Sequence, residues 1–552
     1  MQTLNKCLLI FSLAIGKNIS PLDSWSVLFE SEDKVHATPH ITNIIRTNPA
    51  HFTHSQIEEL KSLNISIENN NFLIERPEGL NESHVTNHFK FHYTLGNSYD
   101  AIDNINYVIS MGEVFENVWS FYIDSLGYLP PVPDQMIGGS NLYDIYLLNL
   151  PSGYFGITYT SAAATENPSC ASFIKMRNSY SSSLFSDHSE LENIQVTAVH
   201  EFFHAIQFSY NCYEKLWFME ATAVWAEDEL YDDINDHYRY MPTWFSNPGK
   251  PLNYTYGIHM YGTFIFFQYI DEHLGGPQTI KQCWEKSNEN STYIGDNSYL
   301  SIDEALKNQN SSLDDAYNRM RIANRIMSSN FNAGIYRYEE ANDYPVELPE
   351  IKEFINYDLG DYKSYTSSEL NLFSTHYIEL STDVPVVISL NNESGPISDL
   401  SLFTVLKYDD IPRWSVRSNN EINIDPLVGV DYISIIVSAT DDIEKNWDYS
   451  LTIKDGHRED FTFYDPYPNP GSSKYPINID LQIIEPQNLF IKIFDVLGQQ
   501  IWSMDKKVSE AGLLSVAWSG KNQNKKNISS GVYFIYAKGE HNSFTKKVTF
   551  IK

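Results

Sequence analysis

Cysteine is scarce, with 4 in 552 residues. Cys7 falls in the leading apolar stretch. Cys170, Cys212 and Cys283 sit at no spacing that suggests a zinc ribbon or a redox pair, so a disulfide framework is excluded and their reading is structural. One disulfide plus one free thiol is what they permit, with the pairing open. Basic residues are few as well: 38 Lys and Arg stand against 71 Asp and Glu, a formal net charge of -33. A chain that acidic repels a polyanion, which argues against nucleic acid as a partner. Long apolar runs are missing too. The run from Cys7 to Ile15 is too short to span a bilayer, and with Lys6 before it reads as a signal peptide over residues 1–19, cleaved between Gly16 and Ser20. No other segment predicts a transmembrane anchor. Acidic loops could hold calcium, and Asp232-Asp233-Ile234-Asn235-Asp236 is the place to look. It lacks the glycine and spacing of a helix-loop-helix calcium loop.

What is present is an ordinary globular composition, 42% hydrophobic and 14% aromatic. The length exceeds one core and predicts three or four folded units. Residues 20–84 read as a polar, irregular N-terminal segment or pro-region, with one short helix over residues 55–63. Phe89, Phe91 and Tyr93 then alternate as a strand does. A helix is predicted over residues 105–126, strands over 143–148 and 170–176, with Gly153 and Gly156 as turns between, and helices over 191–210, 216–230 and 261–274. Beyond about residue 343 short β-rich runs alternate with Asn, Asp, Gly and Pro turns, the pattern of a β-sandwich. The expected fold is an α+β domain over residues 85–345, then two all-β domains over 346–456 and 457–552.

The chemistry lies in Val199-His200-Glu201-Phe202-Phe203-His204-Ala205. On a helix, positions i and i+4 share a face, so His200 and His204 can grip one metal ion, with Glu201 beside them as general base. With 16 histidines in the chain, this pattern arises by chance in only about a few per cent of such sequences. The alternative is a pair of core histidines with a coincidental glutamate, an arrangement that burial makes costly without a metal. A catalytic zinc needs a third ligand and an open position. Glu214, Glu220, Glu227, Asp228 and Glu229 are the candidates. Glu220 stands alone among apolar neighbours in Leu216-Trp217-Phe218-Met219-Glu220-Ala221-Thr222-Ala223, whereas Glu214 reads as loop-exposed and Asp228 and Glu229 as a solvated helix end. A core salt bridge is the other reading of Glu220. Glu227 shares its helical face and could orient a ligand histidine.

The motif followed by Leu216-Trp217…Glu220…Ala223 resembles the gluzincin class of metallopeptidases. That resemblance implies a zincin-like fold, zinc bound by His200, His204 and Glu220, and Glu201 as general base. Residues 89–276 look closest to a set of secreted bacterial metalloprotease-like proteins, on His200-Glu201-Phe202-Phe203-His204-Ala205-Ile206-Gln207-Phe208 and Met219-Glu220-Ala221-Thr222-Ala223-Val224-Trp225. Only fifteen residues separate His204 from Glu220, a shorter gap than many gluzincins have. The class also uses a tyrosine or histidine to stabilise the oxyanion. Tyr256, His259 and Tyr261 lie in range, and Tyr261 is the choice, beside an equal prospect of plain packing.

At the far end, Tyr467-Pro468-Asn469-Pro470, Ile491-Lys492-Ile493-Phe494-Asp495-Val496-Leu497-Gly498, Ser530-Gly531-Val532-Tyr533-Phe534 and Lys546-Lys547-Val548 occur in order. Together they resemble the C-terminal sorting domain of type IX secretion. That implies a Gram-negative host, export across its outer membrane to the surface or beyond, and the secretion machinery as a partner. The expected function is a secreted zinc peptidase acting on protein or peptide substrates. The competing expectation is a surface adhesion or binding protein whose metal site is vestigial or structural.

Overall fold

A computed structural model describes residues 19–30, 36–96, 98–151, 153–160, 168–291, 297–346, 348–408, 412–426, 430–440 and 446–552. The signal peptide read over residues 1–19 lies, but for its last residue, outside them. The described residues divide into two compact units, one running from Ile19 to Thr243 with Asn253–Ala316, the other of Trp244–Leu252 with Tyr317–Lys552.

The first unit opens with helices α1 (Pro21–Glu30), α2 (Ala37–Ile45) and α3 (His54–Leu60) and a hairpin of β1 (Ile65–Glu68) and β2 (Asn71–Ile74). This corrects the irregular segment expected there. α2 is nearly all buried in spite of its threonines and proline, because tertiary packing supplies what local propensity withholds. Strands β3 (Glu82–Val85), β4 (Phe89–Tyr93), β5 (Tyr143–Leu148), β6 (Gly156–Thr160) and β7 (Ser172–Arg177) form one sheet in the order β3-β4-β5-β7-β6. β4, β5 and β7 run parallel, and β3 and β6 are antiparallel edges. β4 alternates buried and half-buried residues as its sequence predicts. β6 and β7 are buried at every position, so both of their faces are covered.

One face of that sheet meets α4 (Ile105–Trp119) and α5 (Glu190–Asn211), through Phe89, Phe91, Phe115 and Phe202. The other meets the N-terminal segment, where Ile41, Ile44 and Phe72 share a core with Tyr146, Ile157 and Phe173. α5 starts on a capping box: Ser189 accepts from the Glu192 amide and Glu192 returns the bond. Its partner α6 (Leu216–Leu230) is buried from Leu216 to Asp228, with Glu220, Glu227 and Asp228 among apolar neighbours. The helix expected over residues 261–274 is two, separated at Thr263. After α7 (Met241–Phe245) come α8 (His259–Gly262) and α9 (Phe264–His273), then α10 (Pro277–Glu289), α11 (Ser298–Lys307) and α12 (Leu313–Ile326). Cys170 and Cys212 are bonded, and Cys283 is a buried free thiol.

The second unit is β-rich. Sheets of five and four strands cover residues 351–455, and sheets of three and five cover 461–551. Arg321 and Arg325, on the second half of α12, belong to this unit. The Tyr377 hydroxyl donates to the Arg321 carbonyl at 2.8 Å, and Arg325 pairs with Glu379 at 2.9 Å. Among the described residues no helix is long and apolar enough to cross a membrane.

Candidate metal centre

α5 carries His200, Glu201 and His204, and α6, antiparallel beside it, carries Glu220. His200 Nε2 lies 3.3 Å from one Glu220 carboxylate oxygen, and His204 Nε2 lies 3.3 Å from the other. All three residues can offer ligand atoms within 4.8 Å of one another. Each histidine is turned by a bond at its other nitrogen. His200 Nδ1 sits 2.6 Å from Glu227 Oε1, and His204 Nδ1 sits 2.8 Å from Gln207 Oε1. Gln207 is itself fixed, donating to the Met219 carbonyl at 2.8 Å and to Thr222 at 3.0 Å. Both Nδ1 atoms therefore act as donors, so that each Nε2 faces Glu220 and offers a lone pair once it carries no proton.

That inward set has no hydrogen-bond partner of its own. His200 Nε2, His204 Nε2 and both Glu220 oxygens are buried and unsatisfied. Polar atoms are rarely left so in a folded core. Ligands about 2.1 Å from a tetrahedral ion stand about 3.4 Å apart, which is the separation found here. The donors fit a small metal ion.

Electrostatics follow from the burial. Desolvation alone would lower the His200 pKa, but Glu220 and Glu227 outweigh it and carry it up to about 10. His204 goes well below its usual value, through burial and then the charge of His200. Burial lifts Glu220 to about 7 against the pull of His200. It also raises Glu201, opposed by His200 and by hydrogen bonds from threonines. Those are Thr158 Oγ1 at 2.6 Å and Thr38 Oγ1 at 2.8 Å, both on Glu201 Oε2. Gly156, expected as a turn, instead opens β6 where the strand meets α5: a Cβ there would lie 2.8 Å from Glu201 Cγ.

Tyr261, the expected oxyanion partner, is buried with its hydroxyl unpartnered, and its ring lies 5.0 Å from that of Tyr240. Burial and then the Glu220 charge push its pKa well up, so the hydroxyl keeps its proton. His259 is buried at the start of α8 and Tyr256 is exposed. Glu214 is not loop-exposed: it is fully buried and accepts from Ser287 at 2.5 Å. Nor is the end of α6 solvated. Asp228 is buried 3.5 Å from His237, and Glu229 shares its environment with Asp271. In the acidic segment considered for calcium, Asp236 pairs with Arg239 at 3.0 Å and His188 at 3.2 Å, while Asp232 and Asp233 are exposed.

Four residues near the motif escaped the sequence reading. Gln207 had a signal, since it follows His204 by three on one face. Thr38, Thr158 and His36 had none. The His36 ring centroid is 4.1 Å from that of His200 and 5.1 Å from that of Tyr261.

No curated protein matches the chain. Among solved structures it is similar to PorZ, a surface component of the type IX secretion system of Porphyromonas gingivalis, at 14% identity over 27% of this chain and 23% of that one, with a TM-score of 0.14. It is also similar to latent PorU of the same organism (14% identity, 37% and 19% covered, TM-score 0.15) and to a β-glucuronidase of Parabacteroides merdae (9% identity, 32% and 27% covered, TM-score 0.15). The chain spans roughly a quarter of the length of these proteins, and likenesses so slight carry no argument. Residues 466–552 are another matter, for they match the secretion system C-terminal sorting domain. The chain therefore carries a type IX sorting tail and is exported across the outer membrane to the cell surface or beyond.

Proposed function

We propose that the first unit is a zincin-like, zinc-dependent peptidase that hydrolyses peptide bonds outside the cell. The observation that carries this is the set of four inward donor atoms on His200, His204 and Glu220, buried without hydrogen-bond partners while both Nδ1 atoms are tied down. Zinc, when bound, supplies Lewis acidity, which brings the pKa of water from about 15.7 to about 7 and polarises a carbonyl. Glu201, next to His200 on the same helix, would take the proton from the attacking water, and its burial-raised pKa suits a base that would later give the proton to the leaving amine. Tyr261 keeps its proton and can donate to developing negative charge.

The test is casein hydrolysis by purified protein beside Glu201→Gln. The variant should bind zinc at one equivalent and lose turnover by at least about 100-fold. Cleavage that survives the substitution would refute the mechanism. One observation favours the second reading, a surface binding protein with a structural metal: His200, Glu201, His204 and Glu220 are at most 1% exposed, and structural zinc sites are closed.

A further inference from the structure

We propose that residues 36–74 form a removable strap that keeps the enzyme latent, with His36 and Thr38 standing where substrate would lie; this rests on the peptidase reading. A peptidase has to admit a polypeptide to its base and its metal donors, and all four groups are sealed. Among the described residues β6 is an edge strand, with β7 on one side and no strand on the other. An extended peptide binds such an edge by adding a strand to it.

The strap already holds that edge. The Thr158 amide donates to Thr38 Oγ1 at 2.8 Å, and Thr38 Oγ1 donates to Glu201 Oε2 at 2.8 Å. One hydroxyl thus occupies an edge amide and the general base together. Two residues earlier, His36 lies over His200, and a ring nitrogen of each lies within 4.8 Å of the other and of a Glu201 oxygen. His36 is steadied by Tyr240 at 2.7 Å and Arg239 at 2.9 Å, and its Nδ1 is buried without a partner. Further along, the Leu63 carbonyl accepts from Tyr159 and from Lys175, both at 2.9 Å. Between these ties an apolar face of Ile41, Ile44 and Phe72 packs on the sheet. The strap leads out through Glu78 and Gly79, which are exposed.

The experiment places a site-specific protease sequence at Glu78–Gly79 in the full chain, cuts it, and runs the product on a sizing column. The strap is expected to separate. A chelator should then extract zinc at least about tenfold faster than from the uncut chain, and casein hydrolysis should rise at least about 100-fold. A strap that stays bound, or that leaves without changing the extraction rate, overturns the proposal. Faster extraction with no casein hydrolysis leaves the strap standing and sinks the peptidase reading instead. A metal-independent check uses the uncut chain: Thr38→Val should speed hydrogen exchange across residues 156–160 at least about tenfold, and Thr38→Ser should retain protection. Equal exchange in the two variants also overturns it.

Discussion

Removing metal from the first unit should lower its melting temperature by roughly 4–24 °C. Four buried donor atoms (His200 Nε2, His204 Nε2 and the two Glu220 oxygens) lose their ion. Each buried polar atom left unsatisfied costs about 1–3 kcal/mol, which sets a ceiling of about 4–12 kcal/mol. A proton recovers part of this. With its pKa carried up to about 10, His200 is an imidazolium between Glu220 and Glu227 at pH 7.5, and it satisfies itself and one Glu220 oxygen. His204 Nε2 and the other oxygen stay bare, for about 2–6 kcal/mol. In units of this size each kcal/mol moves the transition by about 2–4 °C, which gives the stated range. Calorimetry of matched samples with and without a chelator reads the shift, and zinc added back must restore it. Glu220→Gln should abolish the chelator's effect, since the third donor is gone. A transition that moves by less than about 1 °C on chelation would refute the metal reading of these atoms.

Glu227→Gln should weaken zinc binding about 10–100-fold, measured by competition with a coloured chelator, because a neutral amide replaces the carboxylate that orients His200. Unchanged affinity would mean that Glu227 does not set that ring. Glu229→Gln should stabilise the fold at alkaline pH. Burial and then Asp271 raise the Glu229 pKa from 4.5 to about 9, so the native state keeps a proton that the unfolded chain sheds, and stability falls as pH rises between those values. Discounted for partial exposure, the gain at pH 8 is about 1–2 kcal/mol, with little change at pH 4; melts at both values check it.

Much of the candidate metal centre is legible before any fold is known, because helical periodicity alone puts His200, Glu201 and His204 together. Glu220 is legible for a different reason: a lone carboxylate among Trp217, Phe218, Met219 and Ala221 has to be neutralised by something. The same logic missed Glu214 and Asp228. Each lies near a helix end, where a charge is ordinarily solvated, yet Glu214 is buried against Ser287, 73 positions on, and Asp228 against His237 beyond the turn that follows α6. The N-terminal helices were hidden for a related reason. Ala37-Thr38-Pro39-His40-Ile41-Thr42 is rich in poor helix formers and folds only because the sheet receives it. Thr38 and His36 have no spacing relation to the motif at all, since more than 160 residues lie between Thr38 and Glu201.

Where the supports of the centre come from bears on the strap. The bonds that orient the donors arise within α5 and α6: Glu227 on His200, Gln207 on His204, and the Met219 carbonyl and Thr222 on Gln207. The strap bonds to none of these. It meets the carboxylate of Glu201 and the ring face of His200. Its departure therefore leaves these orienting bonds in place, while it opens access to the site and uncovers the sheet face that Ile41, Ile44 and Phe72 had packed on. Glu201 keeps its bond from Thr158, on β6, when Thr38 leaves. A base released from one of two hydrogen bonds stays aimed by the other, and it gains a lone pair for the water it must deprotonate.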